Sequence, residues 1–297
     1  MAVGKVLQAE TVILPAPRRR FAWLRRAPLM PLAIIALIVL TALFANVLTP
    51  YSPTDIALSE RLKPPFWEKG GSLAHPLGTD PMGRDLLTRM IYGARVSLVV
   101  GCLGLFVGGG VGAALGLIAG YAGGRVDAFL MRVADTTLAF PIILFAILLV
   151  VILGGSLFTV VIAIALVLWA RYARVIRGEV LSLRERDFVA QARLAGCSPM
   201  RIMLVHLFPN VLNTLVVLLS LQVGWVIIVE ASLSFLGAGV PPPTPTWGSM
   251  IAEGRDYIAS AWWISFFPGL AILVTVLAFN LCGDWLRDAL DPTMRQL

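Results

Sequence analysis

Two histidines, three cysteines and 17 carboxylates are among the side chains in this sequence that could ligate a metal, attack a substrate or carry a proton. Their spacing assembles none of these chemistries. His75 and His206 stand alone and far apart, and neither an HExxH pair nor a His/Cys/carboxylate cluster supplies metal-ligand spacing. Cys102, Cys197 and Cys282 form a scattered, odd set with no CxxC motif and no disulfide framework. No G-x-x-x-x-G-K-[ST] loop is present to cradle a nucleotide phosphate. The Gly110-x-Gly112 stretch lacks the preceding strand and following soluble helix of a dinucleotide loop. An enzyme acting within the membrane would need a nucleophile, a base or a metal constellation, and none is found. No metal and no cofactor of the chain's own is expected.

Two features remain that could do physical work. Glu230 falls at the edge of a long apolar stretch, just before Ala231-Ser232-Leu233-Ser234. An acid inside a membrane is costly unless it faces water or a partner, so Glu230 reads either as a pathway residue or as an interfacial acid hydrogen-bonded to its serine neighbours. The second feature is the stretch 171–205, with seven Arg against Glu179, Glu185 and Asp187. Within it, residues 187–196 read as a helix of two to three turns, with Asp187 as N-cap and Gly196 as the left-handed stop. Ser198 then caps a second helix with Pro199 at its first position. A short helix bearing small Ala residues and ending in a sharp corner can seat in a partner's groove and transmit force. The plainer reading is a loop helix that only covers the bundle, and the residues alone leave both open.

The elements that must position these residues are set by composition. The chain of 297 residues is 58% hydrophobic and 14% charged, with a mean hydropathy of +0.86; a soluble domain carries about a quarter charged residues. An ordinary soluble enzyme is excluded. Five charge-free stretches, at 27–54, 96–124, 136–170, 202–229 and 257–283, each exceed the roughly 20 residues that cross a bilayer. The stretch 136–170 is interrupted at Gly154, Gly155 and Ser156, which suits two spans and a tight turn. An all-α integral membrane protein with six transmembrane helices follows. The first apolar run, 28–48, is too long for a signal-peptide core and has no A-x-A site, so it reads as a retained helix.

With a basic tail at 1–27 held in the cytoplasm, 17 of the 24 Lys and Arg residues fall on the cytoplasmic side, which places both termini there. The same distribution makes the net charge of +7 a topology signal rather than a nucleic-acid footprint. The organisation is then a cytoplasmic tail (1–27), a first span with an outer segment (28–92), a five-helix domain (93–284) whose inner loop occupies about 178–206, and a cytoplasmic end (285–297). The proline-rich outer segment favours a turning path, with Asp80 as N-cap and Pro81 as first residue of a short amphipathic helix leading into span two. Arg84, Asp85 and Arg89 could form salt bridges to another subunit, but a solvated helix face is the commoner outcome. Gly104, Gly108, Gly112, Gly116 and Gly120 recur every fourth residue and form a smooth ridge for close helix packing. Arg132 can pair with Asp135 at i, i+3; Asp135 and Asp284 sit at the inner water boundary. Trp262 and Trp263 fit an interfacial aromatic belt.

Ala190-Gln191-Ala192-x-x-x-Gly196, followed by His206-x-Phe208-Pro209, resembles the EAA loop of ABC importer permeases, with Ala190 replacing the usual Glu and Gln191 a usual Ala. Further segments strengthen the resemblance: Leu77-Gly78-Thr79-Asp80-x-x-Gly83-Arg84-Asp85, Tyr92-Gly93-Ala94-Arg95-x-Ser97-Leu98, Leu236-Gly237 with Pro242-Pro243-Thr244-Pro245-x-Trp247-Gly248, and Trp262-Trp263-x-x-x-Phe267-Pro268-Gly269 with Leu286-Arg287-Asp288-x-Leu290-Asp291-Pro292. After residue 28 nearly the whole chain is similar to the C-type permease subunit of dipeptide and oligopeptide importers. Pro64-Pro65-Phe66-Trp67 and Gly70-Gly71-Ser72-Leu73-Ala74-His75 are closest to the dipeptide branch.

The resemblance implies a type I ABC importer permease fold in a bacterial inner membrane. It implies a second homologous permease, two cytoplasmic ABC ATPases that bind and hydrolyse ATP, and a periplasmic solute-binding protein. On that pattern Asp187, Ala190, Gln191, Ala192, Gly196 and Ser198 form the ATPase-coupling element, which closure of the ATPase dimer would push so that the spans reorient. The cargo would be a dipeptide, a longer peptide, glutathione or a metal chelate. The competing class is an ion-coupled secondary transporter, which usually buries several ionisable groups at the midplane and often shows internal repeats. Only Glu230 answers to the first description, and no repeat is evident.

Overall fold

A computed structural model describes residues 27–290; the basic tail expected at 1–27 and the end of the chain lie almost wholly outside the described residues. Helix follows helix: α1 (Leu29–Leu43), α2 (Ala45–Leu48), α3 (Leu86–Ala122), α4 (Gly124–Ala139), α5 (Ile142–Leu153), α6 (Leu157–Arg184), α7 (Asp187–Leu194), α8 (Pro199–Arg201), α9 (Phe208–Phe235), α10 (Trp247–Gly254) and α11 (Trp263–Leu290). A π-helical turn, Ile202–Leu207, makes Pro199–Phe235 one continuous rod. Pro209 has no N–H for a helical bond to residue 205, and the widened turn just before it accommodates the ring without ending the helix.

The glycine ridge explains the centre of the bundle. A Cβ on Gly104 would come within 2.8 Å of Ile164, one on Gly108 within 2.9 Å of Leu168, one on Gly112 within 2.4 Å of the Trp169 carbonyl and one on Gly116 within 2.5 Å of the Ala173 carbonyl. Only hydrogen fits at these positions, so the α3 and α6 backbones lie against each other. The contacts advance in the same sense along both helices, so α3 and α6 run parallel. Residues 123–156 must therefore carry the chain back across the bundle between them. They do so as α4 and α5, joined by a 95° bend at 140–141.

Four helices are long and apolar enough to cross a membrane, or five if the bent pair is one crossing. The sixth apolar segment is α1, 15 residues and about 22 Å long. It is shorter than an untilted span of roughly 20 residues. The apolar window of α6 is 72% buried by its own chain, whereas those of α9 and α11 are 28% and 22% buried. α6 is the central post, and α9 and α11 leave broad apolar faces outward.

Residues 49–85 fold over one end of the bundle, here called the capped end. They turn, as the prolines require, but are pinned by backbone bonds such as Thr79 N–H to Lys63 C=O (3.0 Å) and Ala57 N–H to Met82 C=O (3.2 Å). Lys63 also donates to Glu60 and holds that carboxyl below the ordinary carboxylate range. α10 joins the same end, fixed by the Thr246/Ser249 capping box and by Trp247 Nε1, which donates to the Met90 carbonyl at 3.0 Å. α7 lies at the opposite end.

Candidate functional site

α7 begins where α6 stops, and its start differs from the expected one. Arg186, not Asp187, is the N-cap residue, and no side chain caps the helix. Asp187 instead occupies the first helical turn, where a negative charge favours the positive end of the helix dipole. The stop is as the sequence reads: Leu194 is the last helical residue and Gly196 has φ +74°. Ser198 accepts from Arg201 N–H at 3.4 Å, with Pro199 opening α8.

Two faces of α7 do different things. Val189 and Ala192 are buried in the same apolar cluster as Leu183, Ile202 and Leu207, and α7 packs on α6 and on the start of the α9 rod. Arg193 stacks over the Tyr121 ring of α3, 5.7 Å from its centroid. Ala190, Gln191, Arg193, Leu194 and Gly196 are exposed, Leu194 to 89%, and Met200 beside them to 61%. A Cβ on Gly196 would meet nothing within 4 Å. A rigid projection with an apolar tip thus stands on three helices at once.

At the capped end the structure overturns several expectations. The helix of span two starts at Leu86 with Asp85 as N-cap, accepting from Thr88 N–H at 2.8 Å; no helix begins at Pro81. Asp80 caps no helix but folds its own turn, accepting from the N–H groups of Met82 (2.8 Å) and Arg84 (3.0 Å). Arg84, Asp85 and Arg89 are not a solvated face: they are 7%, 5% and 1% exposed. Arg84 Nε binds Asp80 Oδ2 at 2.6 Å and its Nη2 binds Glu253 Oε2 at 2.8 Å. Arg89 bridges the same two acids, reaching Glu253 Oε1 at 2.9 Å. Two guanidiniums and two carboxylates neutralise each other and lock the cap onto α10. Burial of such charges is tolerable only because each finds several partners. His75 extends the cluster, with Nδ1 3.0 Å from Asp85 Oδ1.

Glu230 is wholly buried where α9 meets α3. Its two carboxylate oxygens accept from Ser97 Oγ and Ser234 Oγ, each at 2.8 Å. Ser234 is one of the neighbours the sequence singles out, while Ser232 bonds to its own helix at the Ile228 carbonyl. Ser97 comes from another span, and nothing in local sequence could pair it with Glu230. Asp135 pairs with Arg174 of α6 rather than with Arg132, because α4 lies across α6. Trp263 is no belt residue: it is buried, and its Nε1 donates to the Thr79 carbonyl at 3.1 Å. Trp262 Nε1 donates to Glu68 at 3.1 Å. Both indoles hold the cap down.

Among the described residues no group of His, Cys, Asp and Glu could hold a metal ion. The fold defines a polytopic helical membrane protein. Comparison with known proteins then fixes the kind. The chain belongs to the family of binding-protein-dependent transport system inner membrane components, whose model matches residues 112–296. The N-terminal TM domain of oligopeptide transport permease C matches residues 26–65.

The chain is 44% identical to the di/tripeptide transport system permease protein DppC of Pseudomonas aeruginosa (strain UCBPP-PA14), over 96% of this chain and 95% of that one. It is 47% identical to the dipeptide transport system permease protein DppC of Escherichia coli (strain K12), over 89% of this chain and 88% of that one. Among solved structures it is similar to an inward-facing conformation of the MetNI methionine ABC transporter, with a TM-score of 0.54 and 19% identity over 69% of this chain and 96% of that one. That likeness shows the fold, a type I ABC importer permease. The chain is thus a multi-pass inner-membrane permease.

Proposed function

We propose that this permease carries dipeptides or short peptides into the cell, driven by ATP hydrolysed on partner subunits. The cargo reading is supported by relatives of nearly equal length that are named as dipeptide and di/tripeptide permeases. In the assembly a second, homologous permease covers the open faces of α9 and α11, two ABC ATPases lie beneath α7, and a periplasmic solute-binding protein meets the capped end. Both termini are cytoplasmic, a reading supported by the excess of Lys and Arg on the α7 side.

The observation that carries the coupling mechanism is the two-faced α7. Its buried face packs with α6 and the α9 rod and its exposed Arg193 lies over Tyr121 of α3, while the exposed apolar tip, Leu194 with Met200 of α8 beside it, is left for another protein. A push on that tip displaces three helices together, because close-packed interiors transmit displacement rather than absorb it.

Gly196 tests this. At φ +74° a β-branched residue is strained, whereas Asn tolerates the left-handed region. In proteoliposomes holding the whole transporter, Gly196→Val should abolish ATP-driven dipeptide uptake and uncouple the ATPase from binding protein, and Gly196→Asn should keep most of both. Wild-type uptake and ATPase in Gly196→Val would refute the coupling role.

A further inference from the structure

Arg171 is the odd member of a row of arginines on α6. Arg174 pairs with Asp135, and Arg177 donates to Asp127 through both Nε and Nη2. Arg171, one turn earlier, is exposed, and among the described residues no carboxylate lies within ion-pair distance. Its partners are neutral and come from α9: the Gln222 Oε1, which accepts from Nη1 at 3.3 Å, and the Trp225 ring, 5.4 Å from the guanidinium carbon.

Its depth makes this informative. Arg171 lies 14 residues, about 21 Å, from the start of α6 at Leu157. Trp225 lies ten residues, about 15 Å, from the end of α9 at Phe235, and both of these helix ends belong to the capped side. Measured from Leu157 against a hydrocarbon core of about 30 Å, the guanidinium falls in the inner half of the span, so Arg171 belongs to the helix rather than to the inner loop in which the charge pattern counts it. A charge there is retained only where it faces water or an opposite charge. The described residues supply neither acid nor burial, but they do orient the group: Trp225 supports one face of the plane and Gln222 takes one N–H of the five. The remaining N–H edge is left for a ligand, and a guanidinium edge matches a carboxylate in bidentate geometry.

We propose that Arg171, braced by Gln222 and Trp225, is a carboxylate-receiving site within the span that takes the C-terminal carboxylate of a peptide in transit. The inference rests on the peptide-cargo reading above. A single fixed cation suits a transit site: the C-terminal carboxylate is the one anion every unmodified peptide carries, and one charge-assisted contact is weak enough to release it.

The test compares a labelled dipeptide with its C-terminal amide in proteoliposomes holding the complete transporter and binding protein. Arg171→Gln should lower uptake of the free acid about tenfold, as expected for loss of one hydrogen-bonded charge, and leave uptake of the amide within about twofold of wild type. Arg171→Lys should restore part of the acid uptake. Because the same binding protein serves both variants, its own preference cancels in the ratio of variant to wild type. Equal loss on acid and amide would overturn the proposal and mark Arg171 as a contact to lipid or to the second permease; unchanged uptake of both would also overturn it. A wild-type assembly that imports neither compound, while an intact ATPase still responds to binding protein, would instead refute the peptide cargo and remove the basis of this site.

Discussion

At the capped end Arg84 and Arg89 are 7% and 1% exposed, and both bind Asp80 and Glu253; at the opposite end Leu194, at the tip of α7, is 89% exposed. The first region is closed on itself. Asp80, Arg84, Arg89 and Glu253 satisfy one another, and Trp262 and Trp263 pin the cap through their indole N–H groups. The second region is finished on its inward face and unfinished on its outward one. One polypeptide thus holds a rigid lid, whose energetics are internal, and a lever, whose energetics depend on another protein.

This contrast can be broken most severely at Arg89. Arg89→Met should destabilise the protein in detergent by about 3 kcal/mol, because it leaves fully buried Asp80 and partly exposed Glu253 sharing one guanidinium. A thermal melt followed by circular dichroism reads this directly, and an unchanged melting temperature would mean that the network is not holding the lid.

The next effect lies between the two ends, on the glycine ridge. Gly112→Ala forces a Cβ to within 2.4 Å of the Trp169 carbonyl and should cost about 1–3 kcal/mol by pushing α3 off α6. Gly110, two residues away, has nothing within 4 Å, so Gly110→Ala should be neutral or gain up to about 1 kcal/mol of helix propensity. Equal melting temperatures for the pair would show that the two helices do not approach as described. The smallest effect on stability is expected at the lever. Leu194→Asp should shift stability by no more than about 0.5 kcal/mol, since the side chain is in solvent, yet it should abolish binding-protein-stimulated ATPase activity in the assembled transporter. A large loss of stability from Leu194→Asp would erase the distinction between the two ends.

How much of this was legible depends on the distance over which each feature is encoded. The Gly104–Gly116 repeat, the left-handed stop at Gly196 and the Ser198-Pro199 start are local patterns, and the geometry realises them. Asp80-Pro81 carried an equally good local signal for a helix start, but Asp80 is drawn into the turn that feeds Arg84 and Arg89, and Asp85 caps the helix in its place. The broken α4–α5 crossing is hidden in a stretch whose hydropathy is continuous, because apolar composition reports insertion and not direction. Neither Ser97, bonded to Glu230 from 133 residues away, nor Glu253, bonded to Arg89 from 164 residues away, could be assigned from the residues around them.

By itself the sequence determined that the chain is a bundle of apolar helices with a basic, helix-bearing loop, because burial in lipid and helix capping act on residues a few positions apart. Only the tertiary structure decided which charges are partners, which tryptophans hold the lid, and which arginine of α6 lacks an acid. Ion pairs and hydrogen bonds form between whatever the packed helices bring within about 3 Å, and that is set by the crossing of spans far apart in the chain.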